Sequence, residues 1–250
     1  MTIPSKQPPA LQIVKASERP RFGRVLIQGE PGSGKTHFVG TMPKPILYIE
    51  ADPHGGDTLI GVDGIDIVEL TSYGMMQQVE AYLYQHILEY QSVAIDSITS
   101  VQRYLVDEVA KSRYDKLAGK GTENADTYAP DPKGWQEILS RLRRLMLDLN
   151  KYPIHLCYTA LTQMDANPLN PMQRRLYPLL QGQIQGLIGG LISDFGMAYI
   201  QQPVNPPPGG YIPKPADYKI SFVGSDKFPA KSRTKAGLIL SDPHFDNLIS

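Results

Sequence analysis

Eight consecutive residues, Gly29-Glu30-Pro31-Gly32-Ser33-Gly34-Lys35-Thr36, carry the clearest chemistry in this 250-residue chain. They satisfy G-x-x-x-x-G-K-[S/T], a pattern whose glycines let successive backbone N–H groups curl around a phosphate. A helix starting there would add the partial positive charge of its N-terminus. Lys35 is then placed to reach the β- and γ-phosphates of a nucleoside triphosphate, and the Thr36 hydroxyl to ligate Mg²⁺. Gly29 to Thr36, with His37 directly after them, form the candidate nucleotide-binding set. ATP and Mg²⁺ are the cofactors this chemistry implies.

Such a site also needs an acid at the end of a buried strand to hold the metal's shell. Asp96, closing the run Val93-Ala94-Ile95, fits that role. The residue after it is Ser97 and not a second acid, so a base that activates water must come from elsewhere. The run 46–50 (ILYIE) supplies two candidates, Glu50 and Asp52. Strand alternation puts both on one face if the strand continues, and either carboxylate is then able to polarise water.

These groups must be positioned by elements that the sequence punctuates clearly. Short apolar runs at 24–28, 46–50, 65–69, 92–96 and 154–159 read as strands. Helical spacing follows at 35–42, from a cap at Thr71 or Ser72 through Tyr90, at 97–110, and most strongly at 134–150, where Trp135, Ile138, Leu142, Leu145 and Leu149 share a face. Strands alternating with helices predict an α/β fold, a mainly parallel sheet with helices on both faces. Two polar stretches, 112–133 and 162–178, read as mobile loops, followed by a Gly-punctuated apolar segment at 179–192. Runs at 195–200 and 218–223, joined by the proline-rich 202–215, predict a C-terminal β-hairpin extending the sheet. The expected organisation is an N-terminal arm, 1–20, and one domain, 21–250.

Composition narrows the class. Equal numbers of basic and acidic residues, 25 of each, exclude a bulk polycation that coats nucleic acid, but the charges are not evenly spread. Between Pro45 and Leu70 stand Glu50, Asp52, Asp57, Asp63, Asp66 and Glu69 without a Lys or Arg. The segment 227–235 carries Lys227, Lys231, Arg233 and Lys235 without an acid. A single cysteine, Cys157, excludes an internal disulfide and fits a reducing compartment. No apolar run approaches the roughly 20 residues of a membrane span, so a cytoplasmic protein with no membrane partner is expected.

The combination GEPGSGKT, ILYIEAD, VAIDS and a basic AKSRT near the C-terminus resembles the RecA/RadA-like P-loop ATPase core. Within it, the similarity is to phage-encoded nucleotide-binding (AAA-type) proteins that include Sak-type single-strand annealing proteins. The resemblance spans about residues 20–240 and implies a DNA-stimulated ATPase that assembles as a homo-oligomer, ring or filament, on single-stranded DNA. Such proteins act in annealing or recombination, in the host cytoplasm, in some cases beside a single-strand-binding protein.

By the same resemblance Asp52 matches the water-activating glutamate of a D-A-E stretch, although the order here is Glu50-Ala51-Asp52. The polar stretches correspond to DNA-binding loops, with Lys116 and Lys120 in the first and Arg174, Arg175 and Tyr177 in the second. Gln163 corresponds to a sensor of nucleotide state. Lys231 and Arg233 correspond to cations that reach a neighbouring subunit's γ-phosphate. The separate DNA-pairing or regulatory domains that flank many such cores have no room in these residues, so full strand exchange is not expected. A nucleotide-gated oligomeric scaffold without a DNA role is the alternative the residues leave open.

Overall fold

The computed structural model describes residues 14–118, 130–167, 170–204 and 211–249. Six strands form the parallel core: β1 (Arg24–Gly29), β2 (Ile46–Glu50), β3 (Ile65–Glu69), β4 (Ser92–Asp96), β5 (His155–Ala160) and, past an intervening two-stranded ribbon, β8 (Asp194–Ile200). The ribbon is β6 (Thr162–Asn167) with β7 (Asn170–Pro178). Antiparallel strands β9 (Tyr218–Ser221) and β10 (Lys231–Ser232) flank β8, and β11 (Ile239–Ser241) closes that edge on β9. The spatial order is β11-β9-β8-β1-β5-β4-β2-β3. This is the α/β fold with a mainly parallel sheet that the alternating pattern predicts. β1, β4 and β5 read as near-continuous apolar runs because both faces of a parallel sheet are covered.

One face carries α2 (Tyr73–His86), α3 (Ile98–Ala118), α4 (Pro132–Leu149) and α5 (Ile184–Leu191); the other carries α1 (Lys35–Gly40) and the short α6 (Asp246–Ile249). Local chemistry starts these helices. Ser72 accepts the Met75 N–H at 3.3 Å, and Asp131 accepts that of Gly134 at 2.7 Å ahead of Pro132 in the first turn of α4. In α4, Ile138, Leu142, Leu145 and Leu149 are buried in a stripe along the sheet. Each contributes about 1.5–3 kcal/mol by leaving water. Arg24, the first residue of β1, clasps the far end of α4 by donating to the carbonyls of Asn150, Tyr152 and Ile154. Cations at a helix C-terminus meet orphan carbonyls and the negative end of the dipole.

Two expectations need correction. The stretch 162–178 is not a loop: it is the β6–β7 ribbon, with Gln163 opposite Tyr177, Asp165 opposite Arg175 and Ala166 opposite Arg174. Its alternation runs through polar and methionine side chains, and Asn-Pro pairs punctuate its tip, so it lacks the apolar signature of a covered strand. The stretch 112–133 is partly helical, α3 running to Ala118 and α4 starting at Pro132. Residue 120 and the Lys116 side chain lie outside the described residues. The expected hairpin of β8 and β9 is present, from Met197 opposite Ser221 to Ile200 opposite Tyr218. Among the described residues no helix is long and apolar enough to cross a membrane.

Candidate functional site

The glycine-rich turn follows β1 and leads into α1. Ser33 N–H donates to the Glu30 carbonyl at 3.2 Å, and Gly32 and Gly34 adopt φ of +75° and +87°, the left-handed region that favours glycine. At Gly29 a Cβ would stand 2.6 Å from Ser33 Oγ and 2.7 Å from the Ala198 carbonyl oxygen, so the turn closes only because that atom is missing. The Ser33 hydroxyl is buried and has no hydrogen-bond partner among the described residues. Lys35, buried, donates its amine to the carbonyls of Gly29 and Glu30, each at 2.9 Å, which arches it over the turn. Burial pulls its pKa below the ordinary lysine value, while the charges of Asp96, Asp52 and Glu30 oppose the shift. A cation in a cradle of glycine amides with a spare hydroxyl fits the phosphates of a nucleotide.

Asp96 ends β4 directly beside this turn, and three hydroxyls from three elements converge on it. Thr36 Oγ1 donates to Asp96 Oδ2 at 2.7 Å, Tyr48 donates to the same oxygen at 2.7 Å, and Thr159 donates to Oδ1. The strand order explains the convergence, since β5 lies between the P-loop strand and β4, while β2 flanks β4 on its other side. Tyr48 is held well above the ordinary phenol range by burial first and then by the Asp96 charge and hydrogen bond, so it stays a neutral donor. Thr36 and Asp96 in direct contact are the pair that would hold Mg²⁺.

Glu50 and Asp52 do not share a face. β2 stops at Glu50, whose Oε1 accepts the Gly56 N–H at 2.7 Å and so caps the loop that follows. The chain then bends toward β4, where Ala51 and Asp52 N–H both donate to the Asp96 carbonyl, at 2.7 and 3.3 Å. Asp52 Oδ1 accepts the Ser100 hydroxyl from the first turn of α3, and its charge acts on Lys35. Of the two carboxylates, Asp52 is the one beside the phosphate cradle.

A nucleotide cradle, a hydroxyl–carboxylate pair and a flanking acid on one sheet edge accord with what sequence comparison finds: the model of the AAA domain matches residues 21–234. The chain belongs to the AAA domain family. It is thus an AAA-type P-loop ATPase. Among solved structures it is similar to a KaiC-like protein from the hyperthermophilic archaeon Pyrococcus horikoshii OT3. Identity is 12% and the TM-score 0.38, over 74% of this chain and 76% of that one. No protein of curated function matches it.

The remaining candidates in this AAA chain are distributed more widely. On the ribbon, neighbours along a strand face opposite ways. Arg174 is exposed on the same side as Met164 and Met172, which are 59% and 96% exposed. Arg175 and Tyr177 share the other side with Gln163. Arg175 donates to the Ser225 carbonyl and lies 5.9 Å from the Tyr177 ring centre, so it fastens the ribbon to segment 222–230. Leu176 N–H reinforces the tie by donating to the Lys227 carbonyl at 2.8 Å. Arg174 therefore lies on the opposite side of the ribbon from Arg175 and Tyr177, and of the three it is the exposed one.

Lys231 and Arg233 lie at the other end of the sheet from the P-loop. Lys231 pairs with Phe195 and Ser232 with Asp194, opposite the start of β1, while the P-loop follows its end. Four residues along a strand are about 13 Å. Lys231 donates its amine to the Ile192 carbonyl at 3.1 Å, and burial, helped by Arg233, lowers its pKa. Arg233 is exposed on a turn fixed by buried Asp194, which accepts the Ser232 and Thr234 hydroxyls at 2.6 and 2.8 Å. Neither cation reaches this chain's own cradle.

Sequence reasoning does not find Tyr48, Ser100 or Thr159, whose hydroxyls complete the acid cluster. Each is an ordinary polar residue near a strand end or helix start. Alternation places it correctly only once the strand order is known.

Proposed function

We propose that this AAA chain is a Mg²⁺-dependent, oligomeric ATPase of phage type that binds single-stranded DNA and promotes annealing or RecA-like pairing in the cytoplasm. The observation that carries the ATPase part is the convergence on Asp96 of Thr36 from the P-loop, Thr159 from β5 and Tyr48 from β2. In this reading the Gly29–Thr36 amides wrap the phosphates, and Lys35 swings from its two carbonyls to the β/γ-oxygens. Thr36 and Asp96 would hold Mg²⁺, which would supply neutralisation of the charge on the phosphates. Asp52, oriented by Ser100, takes the proton of the attacking water.

The DNA part rests on the ribbon. Thr162, its first residue, donates to P-loop Glu30 at 2.9 Å, giving the ribbon a direct line to the nucleotide, with Gln163 next along the strand as the sensor. Arg174 offers the phosphate contact. Arg233, presented outward, is the cation suited to a neighbouring subunit's γ-phosphate.

The reading of a nucleotide-gated scaffold without DNA draws on a different observation. Arg175 and Lys231 are both spent on contacts within the chain, and the ribbon's open side exposes two methionines. One experiment separates the two. ATP hydrolysis and oligomer size are measured for the wild type and Lys35→Ala with no DNA, single strands and duplex. Stimulation by single strands that disappears in Lys35→Ala supports the recombination ATPase. ATP-dependent assembly with hydrolysis indifferent to DNA supports the scaffold.

A further inference from the structure

The acid cluster fixes which way a triphosphate must run across the P-loop. Asp96 and Asp52 lie on the side of β1 occupied by β5, β4 and β2, so the phosphate that is cleaved lies there. The remainder of the nucleotide has to leave toward the other side, where β8 and β9 follow. What waits there is aromatic. The ring of Tyr218, the first residue of β9, lies against the backbone of Gly34, close enough that a Cβ on Gly34 would stand 2.9 Å from Tyr218 Cδ1. One helical turn on, His37 is exposed and meets exposed His244 edge-on, ring centres 6.3 Å apart. The two contacts belong to one structure. Asp242 N–H donates to the Tyr218 carbonyl at 3.1 Å, and Phe245 N–H donates to Thr41 Oγ1 at 2.9 Å, which seats segment 242–245 along α1.

We propose that Tyr218, with His37 and His244 beside it, is the subsite for the nucleobase, and that the C-terminal extension therefore supplies half of the nucleotide site. This rests on the reading of the P-loop as an ATP site. The Tyr218 hydroxyl has no hydrogen-bond partner among the described residues, and the three rings offer faces and edges without a fixed pattern of donors and acceptors. Recognition is by stacking, which favours the larger purines over pyrimidines and discriminates weakly between adenine and guanine.

The test compares two ligands that share phosphates and differ in the base. Binding of ATP and of inorganic tripolyphosphate, each with Mg²⁺, is measured by calorimetry for the wild type, Tyr218→Ala, Tyr218→Phe and His244→Ala. Loss of a stacked ring weakens base binding about 5- to 150-fold. The expected result is that loss for ATP in Tyr218→Ala, a smaller one in His244→Ala, and wild-type affinity for tripolyphosphate in both. Tyr218→Phe keeps both ligands. Equal weakening of ATP and tripolyphosphate in Tyr218→Ala makes the ring a strut for Gly34 and overturns the subsite, as does no weakening of either. His244 is exposed, so its variant reads the same subsite without disturbing a packed residue. A wild type that binds tripolyphosphate and ATP equally tightly overturns the base subsite alone. A wild type that binds neither overturns the ATP reading as well.

Discussion

Replacing Asp52 by Asn and Glu50 by Gln gives opposite outcomes if the site works as its geometry indicates. Each change removes one negative charge with little change of volume. Asp52 holds the Ser100 hydroxyl on Oδ1, lies against the Asp96 carbonyl through its own N–H, and acts on the Lys35 charge. A positioned base contributes about 10²–10⁴ in rate, which is about 2.7–5.4 kcal/mol of barrier. Asp52→Asn should therefore lower kcat for ATP hydrolysis at least 100-fold, with ATP affinity changed only a few-fold, because the phosphate cradle is made of backbone and Lys35. Glu50 instead caps the loop at Gly56 through a charge-assisted bond of 2.7 Å. Glu50→Gln keeps an oxygen acceptor there, so about 1 kcal/mol of stability is at risk and hydrolysis should stay within a few-fold of wild type. Single-turnover hydrolysis with saturating ATP, beside urea denaturation of both variants, measures each quantity. Loss of hydrolysis in Glu50→Gln with Asp52→Asn active would refute the assignment.

Three further expectations follow from other parts of the fold. His155 Nδ1 accepts the Gly23 N–H at 3.0 Å, and burial, then the Arg24 charge, depress its pKa below 6.5. The neutral ring is thus preferred in the folded state, and stability should fall as pH drops below about 6.5, where the unfolded chain gains a proton the folded chain resists. Melting temperature against pH for wild type and His155→Gln checks this, a slope shared by both variants being the contrary result. Gln102 clamps residue 181 on both sides, donating to its carbonyl at 2.9 Å and accepting its N–H at 2.7 Å. Gln102→Ala should cost about 1–3 kcal/mol in urea unfolding, and a cost below about 0.5 kcal/mol would mean water replaces the clamp. Arg175→Ala should loosen the ribbon and lower stability, whereas Arg174→Ala should leave stability unchanged and reduce the salt slope for single-stranded DNA by about 0.7. An unchanged slope in Arg174→Ala removes the ribbon's open face from any DNA surface.

The parts legible in the sequence are those whose cause is local. β1, β2, β4 and β5 announce themselves as apolar runs because each is covered on two faces, and the P-loop announces itself because only glycine tolerates its φ values and its approach to Ala198. α4 shows because its cap and its stripe recur at fixed offsets. The illegible parts are contacts between distant segments. Tyr48, Ser100 and Thr159 reach their acids across 48, 48 and 63 residues of chain, and Arg175 reaches Ser225 across 50. The ribbon hides for a related reason. It packs against little, so nothing forces an apolar alternation on it, and its two strands hold each other through backbone bonds that any side chains permit.

That poverty of packing makes the ribbon's attachments more telling. Thr162 at its entry bonds to Glu30 of the P-loop, and Leu161 N–H, one residue earlier, donates to Thr99 Oγ1 at 3.1 Å. Its exit is held by Gln102 through residue 181. Thr99 and Gln102 belong to the first turns of α3, the helix that begins two residues after Asp96 and carries Ser100, the partner of Asp52. Both roots of the ribbon are thus fastened to the helix that contacts the acid cluster, and one root is fastened to the phosphate loop as well. The ladder between the two strands makes these attachments act on the ribbon as one unit, because antiparallel strands do not slide past each other without breaking it. Segment 222–230 is tied to it through Leu176 and Arg175, and its Pro229 carbonyl accepts from Gln28 of β1 at 3.1 Å. The open face carrying Arg174, Met164 and Met172 is therefore tied, through the ribbon's own backbone, both to the phosphate loop and to the helix that carries Ser100.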